Sequence, residues 1–161
     1  MSKKKKRHYT DFGQLGKEHY GIDPPSKKQD HRHKGKLPKN TIIRGSFYEP
    51  STECLKRKIF IEGAKELADR FNSEKMSQSS IRSLFNLLKS AEKNLRKSKC
   101  KYKETYHEFL TRCEYQWRRG VIPKIFLDFA KAHLELATES EHEFRGFLTY
   151  LTSIMARMKT K

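Results

Sequence analysis

The chain has 161 residues, of which 36 are Lys or Arg and 19 are Asp or Glu, so its formal net charge is +17. This length allows one compact domain with an appended tail, and no run approaches the roughly 20 apolar residues of a membrane helix. The first residues lack the apolar segment of a signal peptide, and the three cysteines form no CxxC pair that would indicate a disulfide framework or a zinc site. We therefore expect a soluble, cytoplasmic protein whose partner is a polyanion, most often a nucleic acid.

The composition changes near residue 50. Residues 1–50 carry 13 basic and 5 acidic side chains, four of the five prolines and five of the eight glycines. Their apolar residues follow no helix or strand period, so this segment cannot bury enough surface to offset the entropy of ordering it. We predict a basic, largely irregular N-terminal extension over 1–50, with room for local order around 40–48, and a folded domain over 51–161.

Two short motifs lie in that extension. The run from Lys3 to Arg7 is typical of an arm that binds polyanions, although it also resembles a localisation signal. His31 and His33 match no standard metal-site spacing, so we predict no metal and no cofactor.

From residue 51 onward the apolar residues recur every three or four positions, which predicts helices. Valine occurs once, at Val121, which argues against a sheet. Ser77 is a suitable N-cap and Gly120 a suitable C-terminal stop. The predicted helices span about 52–72, 78–97 and 102–119, with a fourth opened by Pro123 and a fifth from Phe144 to Met158. The fold class is therefore all-α: a compact bundle of about five helices.

Many of the cations in this domain lie on helix faces opposite the apolar stripes. Long cationic side chains on a rigid helix suit contacts to phosphates, which carry no sequence information. The candidate RNA-binding residues are Arg82, Lys89, Lys93, Arg96, Arg112, Arg118, Arg119 and Lys124. The alternative is a solvated surface on which interleaved acids such as Glu92 and Glu108 pair with these cations at little gain.

Aromatic side chains can stack on bases, and histidines can act as acid–base groups. Tyr106 and Trp117 fit the core stripe, whereas Tyr115 lies off it and is the better candidate for stacking on a base. Paired acids, a nucleophile motif and a Gly-rich phosphate loop are absent from the sequence, so we predict a protein without catalytic residues. The alternative enzyme is a small nuclease that uses His107 or His133 as an acid–base group.

Four segments in this order resemble the small helical subunit of type III-A CRISPR Csm effector complexes, over about residues 55–159. The segments are FIEGAKELADRF, MSQSSIRSLFNLLKSAEKNL, CEYQWRRGVIPKIFLDFAKAHLELA and FRGFLTYLTSIMARMK. The stretch from Met76 to Arg82 is similar to the family's "Leu-Thr-x-Ser-Gln-Ile-Arg" helix start, with Ser80 in place of the usual Gln. Tyr115 to Arg119 is similar to its "Tyr-x-x-x-Arg" element.

The resemblance implies a non-catalytic subunit that stacks in several copies along repeated RAMP-type backbone subunits and contacts the phosphates of target RNA paired with guide RNA. In that family, cleavage of RNA belongs to the backbone subunits, and DNase and cyclic-oligoadenylate activities belong to the large polymerase-like subunit. The matching cations are Arg82 and either Arg118 or Arg119. Phe60, Leu127 and Leu136 lie off the inward stripes, and an exposed row of them would mark a contact between subunits. The alternative is a free-standing basic RNA- or ribosome-associated protein that binds mainly through its extension.

Overall fold

The computed structural model of the chain describes residues 36–94 and 100–159. The chain divides into two units, Met1–Arg32 and His33–Lys161, and every described residue belongs to the second. Its α-helices are α1 (Ala64–Ser73), α2 (Gln78–Asn94), α3 (Lys101–Arg118), α4 (Lys124–Ala132), α5 (Leu134–Glu139) and α6 (Glu141–Met155). A 3-10 turn at Lys39–Thr41 precedes them, and a π-helical segment at Ile59–Gly63 leads directly into α1. Within the described residues, β-pairing is limited to one isolated bridge between Tyr48 and Leu55, so the all-α prediction is confirmed.

The core is built largely from aromatic rings around α6. This helix packs against α1, α2, α5 and the π-helical segment, and its Phe147 is fully buried. Phe147 stacks on Phe129 of α4 with ring centroids 5.7 Å apart and meets Tyr106 of α3 at 5.1 Å. Offset and edge-to-face pairs of this kind add to the stabilisation that comes from burying the rings. None of the described helices is both long and apolar enough to cross a bilayer.

Residues 41–48 pack into this core as an extended segment. Phe47 is fully buried, and its N–H donates to Glu143 Oε2 over 2.9 Å. The Ser46 hydroxyl donates to the other oxygen of the same carboxylate. Gly146 makes room for the ring, because a Cβ at that position would stand 2.7 Å from Phe47 Cβ. The packed unit therefore includes residues before 51, while the predicted character of residues 1–35 concerns a stretch outside the described residues.

The helix predicted after Pro123 is two helices, α4 and α5, which break at His133. The His133 ring explains the break: its Nδ1–H donates to the Phe129 carbonyl over 2.8 Å, and its Nε2 accepts the Ile43 N–H over 3.3 Å. The first predicted helix begins too early, because residues 51–55 form a turn and the bridge, and Glu53 has φ +52°. The predicted end of α2 near residue 97 falls outside the described residues.

The helix cap at Ser77 is confirmed, and three apolar residues that lie off the inward stripes are buried. Ser77 caps α2 by accepting the Ser80 N–H at 3.1 Å. An exposed row of Phe60, Leu127 and Leu136 would have marked a contact between subunits, but all three are buried in the core.

Candidate nucleic-acid interface

The outer face of α2 is rich in hydrogen-bond donors. Ile81, Leu84 and Leu88 turn into the core, so the opposite side of the helix faces solvent. The predicted cations Arg82, Lys89 and Lys93 are exposed on it. Exposed small polar residues lie beside them: Ser79, Ser83 and Asn86. Ser90 is exposed as well, and its hydroxyl donates to the Leu87 carbonyl over 2.7 Å. Glu92 is the one acid in the Gln78–Asn94 helix, so this face offers hydroxyl, amide and cationic donors with little negative charge.

The positive charge of the folded domain is concentrated around α2. Residues 75–103 contain nine Lys or Arg and one acid, whereas residues 51–74 contain five of each sign and residues 104–161 contain nine basic and eight acidic side chains. We call residues 75–103 the basic segment. Sequence reasoning from helix faces did not single out two of its exposed cations, Lys75 and Lys103, although a count of charge along the chain would have found them. Such a concentration attracts a polyanion, and salt screens the attraction.

Three of the predicted cations form ion pairs with acids. The pairs are Lys89–Glu92, Arg112–Glu108 with 2.7 Å between Nη2 and Oε1, and Lys124–Asp128 with 2.7 Å between Nζ and Oδ2. All three join residues three or four apart on one helix and have an exposed cation, and surface pairs of this spacing are worth about 0.5 kcal/mol or less. A phosphate can compete with so weak a pair, but it must displace the carboxylate first.

Four other predicted cations are exposed and make no ion pair with an acid in the part of the chain that the structure describes. They are Arg82, Lys93, Arg118 and Arg119. Arg118 does act at a distance on Glu114, whose pKa is lowered first by a hydrogen bond from Lys131 and further by Arg118. The eighth candidate, Arg96, lies outside the described residues. The described predicted cations therefore form two groups: those paired with an acid, and those without an acidic partner, which we call available.

The C-terminal end of α3 presents Arg118, Arg119 and Tyr115 together. Gly120 ends the helix with φ +71°, and its N–H donates to the Trp117 carbonyl over 2.9 Å. Val121 N–H donates to the Gln116 carbonyl at the same distance, which completes a Schellman motif and confirms the predicted stop. This motif fixes the last turn, so the two arginines stand at a defined end of the helix, where the helix dipole favours cations.

Of the aromatic residues considered for stacking, Tyr115 is the one that the structure leaves at the surface, with 59% of its area exposed. Tyr106 is fully buried, and its hydroxyl donates to the Ala130 carbonyl over 2.9 Å, as the core interpretation predicts. Trp117 is partly buried against the core, whereas Tyr102 and Tyr150 are buried in it. Tyr115 is therefore the aromatic ring available to a ligand at this end of α3.

His133 cannot act on a substrate. It is fully buried, both ring nitrogens bond to the backbone, and burial lowers its pKa to about 4. A group with these properties is a neutral structural element at pH 7. His107, the other histidine of the nuclease alternative, is exposed on α3. The N-terminal histidines His31 and His33 lie outside the described residues.

The two cationic surfaces belong to neighbouring helices, because α2 packs against α3. A family model described as Csm2 Type III-A matches residues 55–160, a range that contains α1 to α6 and all eight predicted cations. Comparison with curated proteins and with solved structures gives no match. The family match covers well over half of the chain, and the chain therefore belongs to the Csm2 Type III-A family.

Proposed function

We propose that this small subunit of a type III-A CRISPR Csm complex binds RNA through its sugar–phosphate backbone and does not cut it. The observation that carries the proposal is the set of exposed cations without acidic partners among the described residues, at Arg82 and Lys93 on α2 and at Arg118 and Arg119 on α3. Membership in the Csm2 family supports it. The proposed setting is the cytoplasm.

The spacing on α2 suits a strand that runs along the helix. At 1.5 Å per residue, Arg82 and Lys89 stand about 10 Å apart along the axis, and Lys89 and Lys93 about 6 Å apart. The hydroxyl and amide groups of Ser83 and Asn86 fill the interval and can donate to further phosphate oxygens. Contacts of this kind hold a strand without reading its bases, so sequence is left to pairing between guide RNA and target RNA.

The proposed partners are guide RNA and target RNA, the repeated RAMP-type backbone subunits, the large polymerase-like subunit and further copies of this chain. Family membership supports these assignments. In this arrangement one copy supplies a short stretch of a longer basic surface, so the affinity of a single copy for RNA is a fraction of what the assembly achieves.

The test compares two double variants of the full chain. Arg82→Ala with Lys93→Ala removes two available cations of α2, and Lys58→Ala with Lys65→Ala removes the same charge from exposed positions before and within α1. Binding of single-stranded RNA is measured over a salt series. We expect the first pair to reduce the slope of log K against log salt by about 1.4, because each lost phosphate contact contributes about 0.7. An equal reduction in the control pair would show that charge alone, and not this face, binds RNA.

A second candidate, binding mainly through the extension, is favoured by the excess of basic side chains in residues 1–50. Deletion of all 50 residues would also remove Phe47 from the core, so the informative deletion is of residues 1–32. We expect the shortened chain to enter a guide-RNA complex with the other Csm subunits. Loss of RNA binding in the shortened chain, with unchanged binding in the Arg82/Lys93 variant, would favour the second candidate.

A further inference from the structure

We infer that Tyr115 and Arg119 form a platform on which an unpaired RNA base stacks, an inference that rests on the proposed RNA-binding function. The platform lies at the last turn of α3, next to the available cations Arg118 and Arg119. It would give the protein a contact to bases in addition to its contacts to phosphates, with no preference among base sequences, since every base has a π-face.

The Tyr115 ring lies at the surface on a rigid helix. Tyr115 is 59% exposed, more than the other large hydrophobic side chains that the structure leaves at the described surface, Ile61 at 46% and Val121 at 44%. Its helix is nonetheless held firmly, because Phe109 and Cys113 on the opposite side are fully buried. A large ring presented to water on a rigid support is available to a partner without any rearrangement of the fold.

Arg119 lies against the Tyr115 ring. Its guanidinium carbon lies 5.3 Å from the centroid of the Tyr115 ring, and its Nη1 donates to the Tyr115 hydroxyl over 3.4 Å. The arginine lies against an aromatic ring and pairs with no acid of the described chain. Its contact with Tyr115 orients the ring and keeps a cation beside it. An aromatic ring stacks on a base and an arginine binds a phosphate, so the pair is suited to a nucleotide, with the base on the ring and the phosphate near the guanidinium.

The unpaired charges around the Tyr115 ring are positive. The two acids nearest along α3 are both engaged, Glu108 with Arg112 and Glu114 with Lys131 at 2.6 Å. The available charges on this turn, Arg118 and Arg119, are positive, so a phosphate approaching Tyr115 meets attraction and no unpaired carboxylate from these neighbours.

The same residue types also occur at protein interfaces, where tyrosine and arginine anchors are surrounded by further apolar surface. Among the described residues this part of α3 has little of it, since Trp117 is partly buried against the core and Val121 is the next exposed hydrophobic along the chain. An exposed ring flanked by cations and without an apolar surround favours RNA over a protein partner.

The experiment uses the full chain and two labelled probes of equal length: a single-stranded oligoadenylate, and an oligomer with the same phosphates but abasic sugars. Affinities are measured by fluorescence anisotropy for the unaltered chain, Tyr115→Leu and Tyr115→Phe. We expect Tyr115→Leu to weaken binding of oligoadenylate roughly 5- to 100-fold and to leave the abasic oligomer unchanged. Tyr115→Phe keeps the ring and should retain binding of both probes.

A second measurement locates the contact directly. RNA that contains 4-thiouridine is crosslinked by light to the full chain, and the modified peptides are identified by mass spectrometry. Crosslinks on the peptide that contains Tyr115 support the platform, and crosslinks confined to other peptides overturn it.

The outcomes separate this inference from the function on which it rests. If the unaltered chain binds both probes equally and Tyr115→Leu changes neither, backbone binding stands and the platform is wrong. If the unaltered chain binds neither probe, the proposed function itself fails. If Tyr115→Leu binds RNA normally but no longer joins the other subunits, Tyr115 belongs to a protein interface and the inference is overturned.

Discussion

The basic segment, which contains α2, and the helices α4 to α6 both pack apolar side chains into the core, but they differ in charge. Both bury an apolar stripe, built from Ile81, Leu84 and Leu88 on α2 and from Phe144 and Phe147 on α6. Their charge compositions along the sequence differ: residues 75–103 contain nine basic residues and one acid, whereas residues 124–155 contain three basic and five acidic residues.

The difference is that α2 carries two cations without an acidic partner among the described residues, whereas α4 to α6 carry more acids than cations. On α4 and α6 the exposed charges pair along the helix, as Lys124 does with Asp128 and Arg145 with Glu141. On α2, Lys89 pairs with Glu92, whereas Arg82 and Lys93 have no acidic partner among the described residues. Lys93 lies in the last turn, where the helix dipole favours a cation. A surface of like charges destabilises the compact state slightly by self-repulsion, and the proposed contact with a ligand of opposite charge would relieve it.

The largest expected effect on stability comes from a core residue, Phe47. Replacing Phe47 by Ala should lower the free energy of unfolding by about 3–5 kcal/mol, because the ring fills the space beside Gly146 and its loss leaves a cavity. Urea unfolding followed by circular dichroism measures this. The matched variant Arg82→Ala should leave the unfolding free energy within about 0.5 kcal/mol of the original, since the side chain is exposed. Equal losses in the two variants would contradict the separation of core from binding surface.

A pH series should show the next largest effect, also in the core. Burial lowers the pKa of His133 from 6.5 to about 4, so the folded state resists protonation that the unfolded chain accepts. The stabilisation is therefore fully present above pH 6.5 and is lost as the pH falls toward 4. The total loss is roughly 3 kcal/mol.

Unfolding free energies measured in urea at stepped pH check the His133 prediction. Replacement of His133 by Gln removes the titrating ring, so this variant should lose the pH dependence that belongs to it, at the cost of a lower stability at pH 7. An unchanged pH dependence in the variant would assign the titration to other groups.

A comparison of single cations sharpens the distinction between available and paired charges. Arg118→Gln should reduce the salt slope of RNA binding by about 0.7, because the residue makes no ion pair with an acid of the described chain. Arg112→Gln should reduce the slope by less, since Arg112 is already paired with Glu108. Salt titrations of both variants with the same single-stranded RNA decide the point. Equal slopes would mean that the ion pair does not restrain Arg112.

The smallest expected effect concerns Lys75. This residue follows α1 with φ +60°, a conformation that costs a side-chain-bearing residue about 1 kcal/mol and glycine almost nothing. Lys75→Gly should therefore raise the free energy of unfolding by about 0.5–1 kcal/mol. Lys75→Ala removes the same charge and keeps the strain, so it should give no such gain. Thermal unfolding of both variants distinguishes relief of backbone strain from relief of charge repulsion.

Local patterns predicted most of the helical framework. The stripe of Ile81, Leu84 and Leu88, the cap at Ser77 and the stop at Gly120 depend on residues within a few positions of one another, and the structure confirms each. The docking of Phe47 on α6 depends on Glu143, 96 positions away, and no local pattern carries such a contact. The break at His133 likewise depends on Ile43, because the ring that interrupts the helix is held from outside it.

The candidate site could be predicted in part. Periodicity placed the cations on the outward faces of α2 and α3, and the described ones are exposed. The pairs Arg112–Glu108 and Lys124–Asp128 could have been read from their spacing of four residues, whereas Lys131–Glu114 joins α4 to α3 and required the fold. Which of these cations touch RNA remains a prediction, since it depends on a partner as well as on the chain.

The contact between the Glu143 carboxylate and Phe47 constrains the order in which the chain folds. It accepts the N–H of Phe47, and the neighbouring His142 ring stacks on Tyr48 with centroids 3.7 Å apart, so a segment made early in synthesis docks on the last described helix. Residues 41–48 cannot reach their buried positions on the ribosome until α6 has emerged. The contact of Phe47 with α6 therefore forms only after this helix has been translated. The high sequence separation of these contacts also slows folding relative to a bundle held by neighbouring helices alone.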